Sequence, residues 1–186
     1  SYLSLLSVNN VFKDNGLKIF DVQKINTHGG SLRVFAQKRS SKKYKINRNF
    51  YLIDKIERKS KLDSIKTYKN FQKIAEKNKD DLIKFLLDCK RKKLSVAAYG
   101  AAAKGNTLLN YAGIKKDLIS YVCDSAPSKQ NKFLPGTRIP IFPPEYLFKN
   151  RPDYLLILPW NIADEIVTQL DKLKKNKTKF FVAIPK

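Results

Sequence analysis

The spacing of apolar positions changes along the chain, and each change marks an element. In the first fifteen residues Leu5, Val8 and Phe12 recur at i, i+3 and i+7, which predicts a short amphipathic helix. Asn15-Gly16 ends it, since glycine accepts the left-handed conformation that closes a helix. GLKIFDVQKI and SLRVFAQK then alternate apolar with polar residues. That period of two predicts two strands, and the intervening Asn26-Thr27-His28-Gly29-Gly30 predicts an antiparallel hairpin. Residues 37–49 are polar and basic and read as a mobile linker. From about Ser60 to Lys92 the helical period returns through Ile65, Tyr68, Phe71 and Ile74, then Leu82, Phe85, Leu86 and Cys89. This predicts one long connecting helix, or two if Asn78-Lys79-Asp80-Asp81 interrupts it, with the apolar stripe as packing surface.

Beyond Leu94 short continuous apolar runs replace the stripes. Leu94–Tyr99 is a strand, Gly100 opens a small-residue loop, and Leu108, Leu109 and Ala112 form a helix face. A second run, Leu118–Cys123, ends on Asp124. Prolines 127, 135 and 140 and Gly136 break up the next twenty residues, with room for an edge strand at Ile139–Phe142. Pro143-Pro144-Glu145 opens a brief helix. Asp153–Trp160 has the unbroken apolar character of a central parallel strand, Asn161 is placed to N-cap a helix over Ile162–Lys174, and Lys179–Ile184 is the last strand. Strands alternating with helices predict an α/β fold: a Rossmann-like, doubly wound parallel sheet of about five strands, preceded by a β-hairpin and a long connecting helix. The expected domains are 1–49, the end of an upstream domain plus linker; 50–93, a connecting helical segment; and 94–186, the Rossmann-like unit.

Composition narrows the function classes. Of 186 residues 42% are hydrophobic, enough for a core. No apolar run is long enough to span a bilayer and no signal peptide is visible, so a cytoplasmic protein is expected. Cys89 and Cys123 lack metal-ligand spacing and read as reduced thiols. The chain contains no methionine and opens on SYLSLL, from which a fragment of a longer polypeptide is expected. The net charge of +22 suggests a polyanion. The lysines, however, are spread along the whole chain without interleaved aromatics. A dedicated nucleic-acid partner is therefore not expected, whereas attraction to a phosphate-bearing small molecule needs far less charge.

The candidate chemistry collects where strands end. Gly100 and Gly105 allow tight turning and close approach, and the first free amides of the following helix favour an anion. Lys104 can meet a phosphate as a point charge, with Asn106 beside it. Asp124 stands where a ribose hydroxyl is often held. Lys129 and Arg138 are weaker basic candidates. Trp160 either stacks on a base or sugar or packs between helix and sheet, and Asn161 follows it. His28, the only histidine, either caps its turn or contacts a substrate, with Arg33 close by in sequence. No Ser/His/Asp set, carboxylate pair or metal cluster is present, so nothing suggests self-sufficient catalysis. The loop reads G-A-A-A-K-G rather than G-x-G-x-x-G. These residues admit a unit kept only as scaffold, a stand-alone nicotinamide- or other nucleotide-binding module, or a basic nucleic-acid-binding protein.

Four blocks in order, THGGSLR (27–33), YGAAAKGNTLLN (99–110), KFLPGTRIPI (132–141) and PDYLLILPWN (152–161), resemble the C-terminal part of the S-adenosylmethionine-dependent C-methyltransferases of nucleotide-linked deoxysugars. The resemblance implies a sugar nucleotide held in a cleft between a central methyltransferase domain and a C-terminal Rossmann-like domain. It implies that the zinc site, the S-adenosylmethionine site and the base that forms the enolate lie upstream, so that this chain binds neither cofactor and is inert alone. Taken with the residue reading above, the candidate substrate contacts are His28, Arg33, Gly100, Lys104, Gly105, Asn106, Asp124, Lys129, Trp160 and Asn161. Its partners would be the sugar nucleotide and the upstream domains of the same polypeptide, with no membrane.

Overall fold

Alternation in residues 17–38 produces the ribbon it predicts. In the computed structural model, which describes residues 3–27 and 30–184 and only the backbone of Lys174, helix α1 (Leu5–Asp14) leads into β1 (Leu17–Ile25) and β2 (Ser31–Lys38). The strands pair antiparallel from Leu17 opposite Lys38 to Ile25 opposite Ser31, with an irregularity between Ile19 and Asp21. Asn15 caps α1 and Gly16 turns the chain at φ +70°.

The chain divides into two units, Ser1–Lys73 and Ile74–Lys186. The core of the first is Leu5, Ile19, Val22 and Ile53, with Val8, Phe12, Leu32, Val34 and Phe50 packed on it. Ile53 and Phe50 come from helix α2 (Arg48–Lys59), which the sequence pattern did not separate because its buried face offers so few apolar side chains. Glu57 of α2 is also buried. Its carboxylate accepts the backbone N–H groups of Leu5 at 2.7 Å and Leu6 at 2.8 Å, two of the donors that a helix start leaves unsatisfied. The expected mobile linker is instead pinned to the hairpin. The buried Gln37 amide donates to the Tyr44 carbonyl at 2.6 Å and its Oε1 accepts the Tyr44 N–H. Tyr44 stacks on Phe20 with ring centroids 4.5 Å apart. Polar residues order this segment, and hydrophobic periodicity is blind to them.

Helix α3 (Ile65–Arg91) runs unbroken through Asn78–Asp81, and the boundary between the units falls within it. Leu82, Leu86 and Cys89 are buried, but Ile65 and Phe71 are 70% and 67% exposed, and Tyr68 and Ile74 are exposed as well. The early part of the stripe is therefore not packing surface. Those residues share a helix face with the buried ones, but no described side chain covers them there.

In the second unit the sheet order is β5-β6-β4-β3-β7-β8. The strands are β3 (Val96–Tyr99), β4 (Val122–Cys123), β5 (Lys132–Phe133), β6 (Pro140–Phe142), β7 (Tyr154–Ile157) and β8 (Lys179–Phe181). All neighbours are parallel except β5, which pairs antiparallel with β6. The sheet thus has six strands rather than five, and β6 is interior because β5 covers its edge. Alternation in β3 shows both faces covered. Val96 and Ala98 join Leu82, Leu86, Leu109 and Ile119 on one side, while Ala97 and Tyr99 join Leu147, Ile166 and Leu173 on the other. Helix α4 (Ala103–Tyr111) follows β3, and α5 (Tyr146–Lys149) precedes β7. The expected helix at 162–174 is divided into a 3-10 turn (Trp160–Ile162), α6 (Ala163–Gln169) and α7 (Asp171–Lys175). Ile162, not Asn161, holds the N-cap position of α6, and no side chain caps it. No helix of the described residues is long and apolar enough to cross a membrane.

Candidate functional site

The carboxyl ends of β3, β4 and β7 meet at the loop that opens α4. Gly100 leaves β3 at φ +88° and donates its N–H to the Cys123 carbonyl at 2.7 Å. Two constraints fix its identity: the left-handed backbone, and Pro159, whose Cγ would stand 2.3 Å from an added Cβ. Gly105 lies inside α4, where a Cβ would come within 2.6 Å of Leu158 Cβ. Both glycines therefore serve close approach between this loop and helix and the end of β7. Ala102 takes the N-cap position of α4 with no side-chain cap, so the start of the helix offers its amides to whatever lies in front.

Asp124 ties the loops together. The residue is 6% exposed. Its Oδ2 accepts the Ala101 N–H at 2.6 Å and meets Lys129 Nζ at 3.1 Å, and its Oδ1 accepts the Ala126 N–H at 2.8 Å. Its carbonyl accepts from Gln130 Nε2 at 3.0 Å. The carboxylate is thus committed to the β3 and β4 loops. Burial, and next the Asp124 carboxylate, push the Tyr99 phenol above its ordinary range. Burial pushes the neighbouring Cys123 thiol up to about 12, which makes it an inert core group rather than a nucleophile.

On one flank of the loop lies a cavity of about 600 Å³. Ala101, Ala102, Ala103 and Asn106 form one wall; Ser128, Lys129, Lys132, Phe133, Leu134, Pro135 and Ile141 form the other. The second wall is held in place by Asn110, whose Nδ2 donates to the Pro135 carbonyl at 3.0 Å, and by Lys115, whose Nζ donates to the Gly136 carbonyl at 3.0 Å. Lys132 Nζ donates to the Ser128 carbonyl at 2.7 Å.

On the other flank Lys104 Nζ sits 5.0 Å from the centroid of the Trp160 ring, a cation–π contact. Lys104 is not among the cavity-lining residues. Beside it in sequence, Asn161 is half-buried, and its Oδ1 is buried without a hydrogen-bond partner among the described residues.

The structure therefore brings Gly100, Lys104, Gly105, Asn106, Asp124, Lys129, Trp160 and Asn161 to one set of strand ends, divided between the two flanks. Arg33 belongs to the first unit, exposed in β2 opposite Gln23. His28 lies outside the described residues. Arg138 is exposed, at φ +55° in the turn before β6. Lys132 and Phe133 are cavity residues that the sequence reading passed over. They lie in a proline-interrupted stretch, and strand β5 is two residues long, too short for a period to register. Among the described residues no group of three His, Cys, Asp or Glu could hold a metal ion.

The profile of the C-methyltransferase C-terminal domain family matches residues 26–185. The chain is 33% identical over 185 residues to the C-methyltransferase NovU of Streptomyces niveus, covering all of this chain and 44% of that protein. It thus spans less than half the length of that curated relative.

Proposed function

This chain belongs to the C-methyltransferase C-terminal domain family, and from that membership we propose that it is the sugar-nucleotide-binding part of a methyltransferase. The reaction would use S-adenosylmethionine to methylate a carbon of a nucleotide-linked keto-deoxysugar. The observation that carries the reading is the glycine loop, which opens an uncapped helix beside a cavity whose charged lining residues, Lys129 and Lys132, are both cationic.

The residues at these strand ends do not fit the usual arrangement that holds a nicotinamide dinucleotide at a glycine loop. The acid that would hold ribose hydroxyls, Asp124, is already saturated by Ala101, Ala126 and Lys129. Ala102 stands where the dinucleotide motif has its second glycine. By the family resemblance the cofactor, the zinc ion and the base that removes the substrate proton belong to the upstream part of the polypeptide, and no step is routed through them here. The same two observations weigh against a stand-alone nicotinamide module. In this chain Lys129, Asn106 and the loop amides bind and orient, Lys104 and Trp160 present a charged aromatic face on the other flank, and Asp124 is a positioning residue. Asn161 supplies an acceptor that a substrate hydroxyl or amide would satisfy.

The test is transfer of a labelled methyl group. The full-length enzyme, given methyl-labelled S-adenosylmethionine and a panel of nucleotide keto-sugars, is expected to form a C-methylated sugar nucleotide, while the 186-residue chain alone forms none. In the full-length enzyme Lys132→Ala, which removes one of the two cations lining the cavity, should weaken nucleoside diphosphate binding by roughly ten-fold or more. Turnover by the chain alone, or no transfer by the full-length enzyme across the panel, would overturn the reading.

A further inference from the structure

The first unit leaves much of its apolar surface uncovered. Ten of the sixteen large hydrophobic residues that stay exposed among the described residues lie within Ser1–Lys73, although it is the shorter of the two units. Its core holds four buried residues, against fourteen and eleven in the two clusters of the second unit. Its sheet is the β1–β2 pair, and two strands alone are marginal in water. Helix α2 shows where the deficit lies. Ile53 and Glu57 turn to the core, while Tyr51, Leu52 and Ile56 on the outward side are exposed. The helix thus carries apolar residues on both faces, as a helix packed between two layers does. The first turns of α3 are similar: Ile65, Tyr68 and Phe71 are exposed on a helix whose later turns bury theirs. Exposed lysines stand beside both groups, Lys55 and Lys59 on α2 and Lys66, Lys69 and Lys73 on α3.

Exposed apolar surface of this kind marks an interaction site. A second copy is a poor occupant. A symmetric contact would set the lysines of one copy against the same lysines of the other, on molecules that each carry a net charge of +22. The chain spans less than half the length of its relative NovU, and residues 26–185 match a domain that is C-terminal by name. A polypeptide segment preceding Ser1 would enter this unit and not the other, and a tethered partner is present at an effective concentration on the order of millimolar. We infer that the upstream part of the same polypeptide packs on the outward face of α2 and on the first turns of α3, with apolar side chains ringed by carboxylates that meet the lysines. Residues 1–73 are then the closing part of the upstream domain, and the boundary falls inside α3 rather than in the polar stretch 37–49. The inference rests on the reading of this chain as one part of a longer methyltransferase and not on the nucleotide cavity, so the two can fail separately.

The test is hydroxyl-radical footprinting of the full-length enzyme beside the 186-residue chain, read at aromatic side chains that oxidise when exposed. Tyr51, Tyr68 and Phe71 should lose several-fold in oxidation rate in the full-length enzyme, at every enzyme concentration. Phe148, exposed in α5 of the second unit, should oxidise equally in both proteins. Leu52→Ser combined with Phe71→Ser should lower the urea midpoint of the full-length enzyme and leave that of the 186-residue chain in place. Equal oxidation of Tyr51, Tyr68 and Phe71 in the two proteins would overturn the inference, as would an unchanged full-length midpoint. Protection in the full-length enzyme that disappears on dilution would overturn it in favour of a second copy. Protection of the 186-residue chain by vesicles of phosphatidylserine and phosphatidylcholine would overturn it in favour of a membrane surface. A full-length enzyme that shows the protection but transfers no methyl group would sink the proposed function and leave this interface standing.

Discussion

Gly105 shows how a residue that looks like ligand chemistry turns out to be packing chemistry. It sits in a glycine-bearing loop motif and invites a phosphate, but the contact it permits is with Leu158, at 2.6 Å from a built Cβ. Gly105→Ala gains on the order of 1 kcal/mol of helix propensity, against about 1–3 kcal/mol for overpacking a contact with no flexible end to yield. The variant is expected to melt lower than wild type in a denaturant titration. An equal or higher midpoint would show that α4 can shift away from β7. Asp124 carries the same lesson: its place after the second strand was legible, but its service to backbone amides and Lys129 depends on loop coordinates that no spacing encodes. Cys123 supplies a pH prediction. Burial raises its thiol from 9.0 to about 12, so the folded state keeps a proton that the unfolded state releases. Its contribution to stability is whole below about pH 9 and is lost as pH rises from there towards 12. Cys123→Ala should flatten that part of the alkaline stability profile. An unchanged slope would assign the loss to other groups.

At the scale of elements, what the sequence made legible followed hydrophobic period. The hairpin, the parallel strands β3 and β7 and the turn at Gly16 stand where alternation, apolar runs and Asn-Gly put them. What escaped was held by polar groups or by two-residue strands. Helix α2 is anchored through Ile53 and through Glu57, whose two carboxylate oxygens meet two amides of α1. Glu57→Ala should therefore destabilise the first unit by roughly 1.5–3 kcal/mol, the worth of charge-assisted hydrogen bonds lost to buried donors. By contrast, Phe71→Ser on the exposed stretch of α3 should change stability by no more than about 0.5 kcal/mol. Equal losses for the two in urea titrations would show that the α3 stripe is covered in solution and that the sequence reading of it as packing surface was sound.

For the molecule as a whole, the fold class was readable because a doubly covered parallel sheet leaves continuous apolar runs, and the family because four blocks keep their order. The site was readable only as a region. The sequence named the strand-end loops, and folding then sorted their residues onto two flanks, with Lys104 and Trp160 on one and Asn106 and Lys129 on the other. It added Lys132 and Phe133 from a stretch in which prolines hide the strand. The central claim is that this chain recognises the nucleotide of a sugar nucleotide at that cavity while the methyl-transfer chemistry resides elsewhere in the polypeptide. The most direct measurement is amide chemical-shift mapping of the isotopically labelled chain during titration with thymidine or uridine diphosphate. The account predicts saturable shifts concentrated at residues 101–106 and 128–134, with residues 17–60 unmoved. Shifts confined to the first unit, or none in either segment at millimolar nucleotide, would contradict it.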